Sequence, residues 1–153
     1  AKAGLDRIGL LSKLRGNYGF EYTDLDSFIS APAQGAMMIA AMKANKEVLQ
    51  AVSALNHQQT AICVDMERAF LRDLEGGCTA PIGAIAIVKN DQLSFKGTLM
   101  SLDGKQRIDV NDSMPWFDNI EMEECLAFAK AQSQKVLAQG GGALMAEIKQ
   151  SLK

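Results

Sequence analysis

Apolar positions change their spacing several times along this chain. Over residues 1–15, Leu5, Ile8, Leu11 and Leu14 recur at helical intervals with Lys and Arg between them. That spacing predicts a helix, and Gly16 fits its stop. Residues 17–33 mix polar and apolar types and end near Pro32, as a connector does. Ala36–Met42 is an apolar run of strand length and predicts a buried strand. Lys43–Leu55 returns to helical spacing through Val48, Val52 and Leu55, and a boundary falls near Asn56.

The second half is more regular. Gln58–Leu74 predicts a helix with Ile62, Met66, Ala69 and Phe70 on one face. A Gly-Gly-Cys loop breaks it. Ile82–Val88 and Gln92–Ser101 read as strands about a turn at Asn90-Asp91, and Asp103-Gly104 is a strong hairpin signal. Gln106–Val110 completes a three-stranded meander. Asp118 with Glu121 has the spacing of a capping box opening a helix to about Ala138. Gly140-Gly141-Gly142 is a break, and Ala143–Leu152 a last helix with Leu144, Ile148 and Leu152 in one stripe.

This order predicts the α+β class: a small three-stranded antiparallel sheet covered by helices, preceded by an incomplete α/β segment. Residues 1–56 cannot close a sheet alone, and residues 57–153 form the complete unit. The chain starts at Ala1, without Met, inside a helical pattern. Missing N-terminal sequence is the expectation.

Composition narrows the function. The 153 residues suit one domain, or one domain with a fragment of another. A net charge of −2 with no basic block argues against nucleic acid as a partner. No apolar run reaches the roughly 20 residues needed to cross a bilayer, so no membrane partner is expected. The cysteines, Cys63, Cys78 and Cys125, make a poor disulfide framework and suit a reducing cytoplasm. With His57 as the single histidine and no close Cys/His pairs, no metal is expected. His57, near a helix start, reads as a cap or surface residue. Cys63 and Cys125 fall in helical patterns and read as core thiols.

Cys78 differs from both. In Leu74-Glu75-Gly76-Gly77-Cys78-Thr79-Ala80-Pro81-Ile82-Gly83 it stands on a glycine turn between a helix and a strand. Two glycines allow positive φ or close backbone approach, so the thiol is expected on a loop. The plain alternative is a small residue filling a loop pocket.

This stretch, with Thr60–Leu71 before it, resembles the C-terminal part of the hydroxymethylbilane synthase (porphobilinogen deaminase) family. The resemblance covers nearly the whole chain. Ala3-Gly4-Leu5-Asp6-Arg7-Ile8-Gly9-Leu10 is similar to the family's Ala-Gly-Leu-x-Arg-Leu-Gly helix. Ser30-Ala31-Pro32-Ala33-Gln34-Gly35-Ala36 is similar to its Pro-Ala-x-Gly-Gln-Gly-Ala crossing, with Ser30 for the Pro and Ala33 for the first Gly. Leu55-Asn56-His57, Glu67-Arg68-Ala69 and the Gly97…Ser101-x-Asp103-Gly104 hairpin follow in order. The chain departs from the family at Ala40-Ala41-Met42, where Glu-Cys-Arg is usual.

The resemblance implies a transferase of tetrapyrrole (heme) biosynthesis. Its parent enzyme condenses four porphobilinogen molecules head to tail, releasing ammonia, and frees the linear hydroxymethylbilane. It implies that Cys78 carries a covalent dipyrromethane cofactor through a thioether. It implies that residues 1–56 are tails of two α/β domains whose remainder lies upstream, and that 57–153 are the cofactor-anchoring domain. Partners would be porphobilinogen, polypyrrole intermediates and the N-terminal domains of the same enzyme.

The resemblance also assigns side chains. Arg68 matches an arginine contacting cofactor or substrate, and guanidinium suits the acetate and propionate groups of a polypyrrole. The alternative is a surface ion pair with Asp65. Arg7 matches a second substrate-binding arginine, against a solvated helix face. Gln34 matches a substrate-binding glutamine at the cleft, against a structural role at the hinge. The family's catalytic aspartate has no match here and belongs upstream, so the isolated chain is expected to be inactive. A different class stays open: a non-catalytic interaction or assembly module with Cys78 as a free, redox-sensitive thiol.

Overall fold

The structure is a computed structural model that describes residues 2–25, 28–75 and 80–151. Two short helices open the chain, α1 (Lys2–Arg7) and α2 (Leu10–Tyr18). The sequence predicts one helix here. Gly9, at φ 65°, splits it, because the left-handed conformation cannot continue a right-handed helix. The stop is Gly19 (φ 60°), not Gly16, through which α2 continues. Lys2 and Arg15 both stand over the ring of Tyr22, at 4.9 and 4.7 Å from its centroid.

The strand expected at Ala36–Met42 does not form. That segment is irregular, and Met37, Met38, Ile39 and Met42 are largely exposed. A strand needs a neighbour for its N–H and C=O groups, and none of the described strands pairs with it. Helix α3 (Lys46–Ser53) follows, capped by the Asn45 side chain, which accepts from Val48 N.

From residue 57 onward the sequence reading and the fold agree in class: a mixed α+β unit. Helix α4 (Gln58–Asp73) runs toward an antiparallel meander of β1 (Ile82–Lys89), β2 (Gln92–Met100) and β3 (Arg107–Pro115), in spatial order β1-β2-β3. The β1–β2 turn places Asn90 and Asp91 at φ 52° and 54°, the hand that matches sheet twist. The β2–β3 turn is held by Ser101 Oγ, which donates to Asp103 Oδ1 and accepts from Gln106 N, with Gly104 at φ 72°. β3 runs five residues beyond the predicted end, because its register with β2 continues to Gln92↔Pro115.

Helix α5 (Met122–Val136) begins three residues later than a cap at Asp118 requires. Glu121 is the N-cap, without a side-chain bond, and Glu123 and Glu124 bring negative charge to the first turn. The triple-glycine break is real: the chain kinks at Gly140, whose φ of 96° is non-helical, and enters α6 (Gly142–Ser151). Ile62, Met66 and Phe70 of α4 pack into one core with Ala84, Phe95 and Leu99 of the sheet, Cys125, Ala129 and Val136 of α5, and Leu144 and Ile148 of α6. Each such large side chain contributes about 1.5–3 kcal/mol by leaving water. The buried stripe of α4 therefore fixes what its other positions face.

Candidate functional site

The site is built around α4. His57 starts it, with Nδ1 accepting from Thr60 N at 3.3 Å, so the lone histidine is a helix cap. Ile62, Cys63, Met66, Glu67 and Phe70 share the inward stripe. Glu67 is the anomaly there, a carboxylate only 7% exposed. Its two oxygens are each used. Oε1 accepts from Ala86 N of β1 at 2.8 Å, and Oε2 accepts from Ala33 N at 2.6 Å. Two backbone donors are a fitting environment for a buried charge.

Those bonds attach the segment around Ser30–Ala36 to the outer edge of β1. Ala84 N donates to Ser30 O at 3.0 Å. Gly83 lies so close to the segment that a β-carbon there would fall 2.7 Å from Ile29 O. The next amide in the row, Val88, lies against the Cys63 thiol. The edge that would otherwise offer free N–H groups is thereby occupied.

Arg68 follows Glu67 and turns the other way. It is half-buried on the wall of an open groove of about 590 Å³ between α3, α4 and residues 36–39. Ala36, Val52, Leu55, His57 and Asp65 also line it. Among the described residues Arg68 forms no ion pair, with Asp65 or any other carboxylate. A half-buried guanidinium on the wall of a groove of mixed polarity is suited to a carboxylate-bearing ligand.

The other predicted residues are dispersed. Arg7 ends α1, exposed, and does not line the groove. Gln34 is exposed, and its Oε1 accepts from Ala31 N at 3.2 Å, closing its own turn. Cys78 lies outside the described residues. The chain on either side of its loop is well fixed: Leu74 is buried, Glu75 pairs with Lys149 of α6, and Met100 N donates to Pro81 O.

The remaining thiols are unsuited to nucleophilic chemistry. Burial, reinforced by the charge of Glu67, pushes Cys63 up to about 11. Burial, with Glu124 adding to it, also raises Cys125. The thiolate is the reactive form, so both are inert near neutral pH.

Glu67 is the residue that sequence reading left without a role. Its signal was there: positions 63, 66, 67 and 70 fall on one helical face, and a carboxylate on an apolar face requires partners.

The family model described as "Porphobilinogen deaminase, C-terminal domain" matches residues 61–137, from α4 through the end of α5. A porphobilinogen deaminase of Geotalea uraniireducens is 37% identical over 150 residues, covering 98% of this chain and 44% of that protein. One from Prochlorococcus marinus is 35% identical over 148 residues, covering 97% and 43%. One from Coxiella burnetii is 37% identical over 150 residues, covering 98% and 45%. The chain thus spans less than half the length of these relatives. With a family match over α4, the meander and α5, and relatives aligned from end to end of the chain, this protein belongs to the porphobilinogen deaminase family and carries its C-terminal portion.

Proposed function

We propose that this chain is the cofactor-anchoring part of a hydroxymethylbilane synthase. The whole enzyme would convert four porphobilinogen molecules into linear hydroxymethylbilane with release of ammonia. Residues 57–153 would be the anchoring domain, and residues 1–56 the tail segments of two preceding domains. Those domains would supply the catalytic aspartate.

The donor set fits a dipyrromethane. With Cys63 and Cys125 buried and held protonated, Cys78 is the thiol left to carry it. When bound, the cofactor supplies the pyrrole to which substrate is joined. The protein's own part is to bind and orient. Arg68 offers an uncommitted fork to a carboxylate, while the Gln34 amide NH2 can donate to another. Arg7 is proposed to bind substrate once the rest of the enzyme surrounds α1.

The observation that carries this reading is Arg68: a half-buried cation, without an ion pair among the described residues, on the helix that leads into the Cys78 loop. The test is the intact mass of the full-length protein, followed by peptide mapping. The expected result is a two-pyrrole adduct on Cys78, absent from Cys78→Ser. Active enzyme with Cys78 unmodified would overturn the assignment. Turnover by the 153-residue chain alone would overturn the upstream placement of the catalytic acid.

The exposed run Met37, Met38, Ile39 and Met42 supports a second reading, an assembly module acting through this surface. Supplying the N-terminal domains in trans separates the two. Restored activity supports the enzyme, and binding without activity supports the module. No helix among the described residues is long and apolar enough to cross a membrane, and a cytoplasmic location is proposed.

A further inference from the structure

The bond between Glu67 Oε2 and Ala33 N joins the residues immediately before Arg68 and Gln34. These two residues, proposed above to bind substrate or cofactor, come from segments 34 residues apart in sequence. Among the described residues, no other side-chain hydrogen bond ties Ala33 or its neighbours to α4.

We propose that Glu67 is a positioning residue, whose carboxylate sets the spacing between Gln34 and Arg68 by latching Ala33 to β1. This inference rests on the proposed roles of those two residues.

Three features make the latch a device for register as well as stability. Both carboxylate oxygens are engaged, one on the sheet and one on the crossing segment, so movement of Ala33 relative to Ala86 breaks one bond. Ala33 sits at φ 62°, unfavourable for alanine, and Gly35 at φ 89°. Glycine suits its position, so the strain lies at Ala33, and Glu67 bonds the amide of that strained residue in addition to the turn's own bonds. Ala36, one residue past the turn, and Arg68 then line the same groove. The Gln34 Oε1 is committed to Ala31 N, which leaves its NH2 group as donor. Gln34 itself is exposed beside the groove rather than on its wall, so the latch acts on where its amide stands relative to Arg68.

The test has two parts. In the wild-type chain, amide hydrogen exchange at Ala33 should be slowed by at least about tenfold, the fold-change expected for one bond to a charged acceptor. Among the described residues Ala33 has no backbone partner for its N–H, so exchange at the open-chain rate overturns the latch. In the full-length enzyme, Glu67→Gln keeps shape and turns one acceptor into a donor. Its KM for porphobilinogen should rise about tenfold with kcat within about twofold, as expected when ground-state positioning is lost. Peptide mapping is done on the same sample. With the adduct on Cys78 and KM unchanged, the positioning role falls and the functional reading stands. With no adduct in active enzyme, the functional reading falls. If Glu67→Gln does not fold, Glu67→Met, which removes the charge and keeps the volume, is read instead. Failure of both to fold, while wild-type Ala33 is protected, marks Glu67 as structural and overturns the positioning role.

Discussion

The ring of Phe70 fills the space that a side chain at Gly97 would need. A β-carbon built on Gly97 would lie 2.5 Å from Phe70 Cζ and 3.0 Å from both Cε atoms. Phe70 also meets Phe95 at 5.3 Å between ring centroids, tilted by 60°. The first glycine of the hairpin motif is therefore a packing requirement set by α4. Gly97→Ala should cost about 1–3 kcal/mol through overpacking. It is read as a lower urea midpoint with unchanged slope. In Phe70→Leu, which shortens the ring away, the same substitution should cost measurably less. Equal costs in both backgrounds would show that the two residues are not coupled.

Ala33 occupies a position where the family pattern has glycine, and its φ of 62° gives the reason. Alanine in the left-handed region costs about 1–2 kcal/mol. Glycine removes that strain but loses about 0.4–1 kcal/mol through a freer unfolded chain. Ala33→Gly should therefore stabilise the chain by about 0.5–1 kcal/mol, seen as a raised urea midpoint. A lowered midpoint would show that the turn is not strained at this residue.

What the sequence disclosed, and what it hid, divides along physical lines. The inward stripe of α4 and the two hairpin turns were legible because they are local: helical period, Asn-Asp and Asp-Gly. Ala36–Met42 misled because an apolar run says that a segment wants burial, not that a partner strand is within reach. The cap at Asp118 misled because capping residues are common and the fold chose Glu121, where the backbone enters the helix. Arg68 was singled out through the family resemblance, and the structure places it off the packed stripe, on the groove wall. The use of Glu67 was not, since its partners are backbone amides of Ala33 and Ala86, which carry no sequence signature.

Cys63 makes alkaline pH a probe of the core. Its thiol is held up at about 11, above the ordinary thiol range, chiefly by burial. Below the ordinary range both folded and unfolded chains keep the proton, and the contribution is fully present. Between that range and about 11 the unfolded chain ionises first, so stability falls as pH rises. The fall is at most about 1.4 kcal/mol per pH unit for one group. Urea midpoints at pH 8, 9 and 10 should decline more steeply in the wild type than in Cys63→Ala. Parallel declines would assign the effect to other groups. The same burial should leave Cys63 unalkylated by iodoacetamide at pH 8 until denaturant is added.

Arg68 tests the chemistry of the groove. Because it forms no ion pair among the described residues and lies off the packed stripe, its removal should barely change stability. A charge-assisted hydrogen bond is worth about 1.5–3 kcal/mol. Arg68→Ala in the full-length enzyme should thus weaken the use of porphobilinogen by about tenfold to a hundredfold in kcat/KM. Arg68→Lys keeps the charge and loses the planar fork, so it should fall between the two. Lysine performing as well as arginine would leave charge alone as the requirement. Alanine performing as well as either would mean that the guanidinium touches no ligand, and the groove would lose its claim to be part of the site.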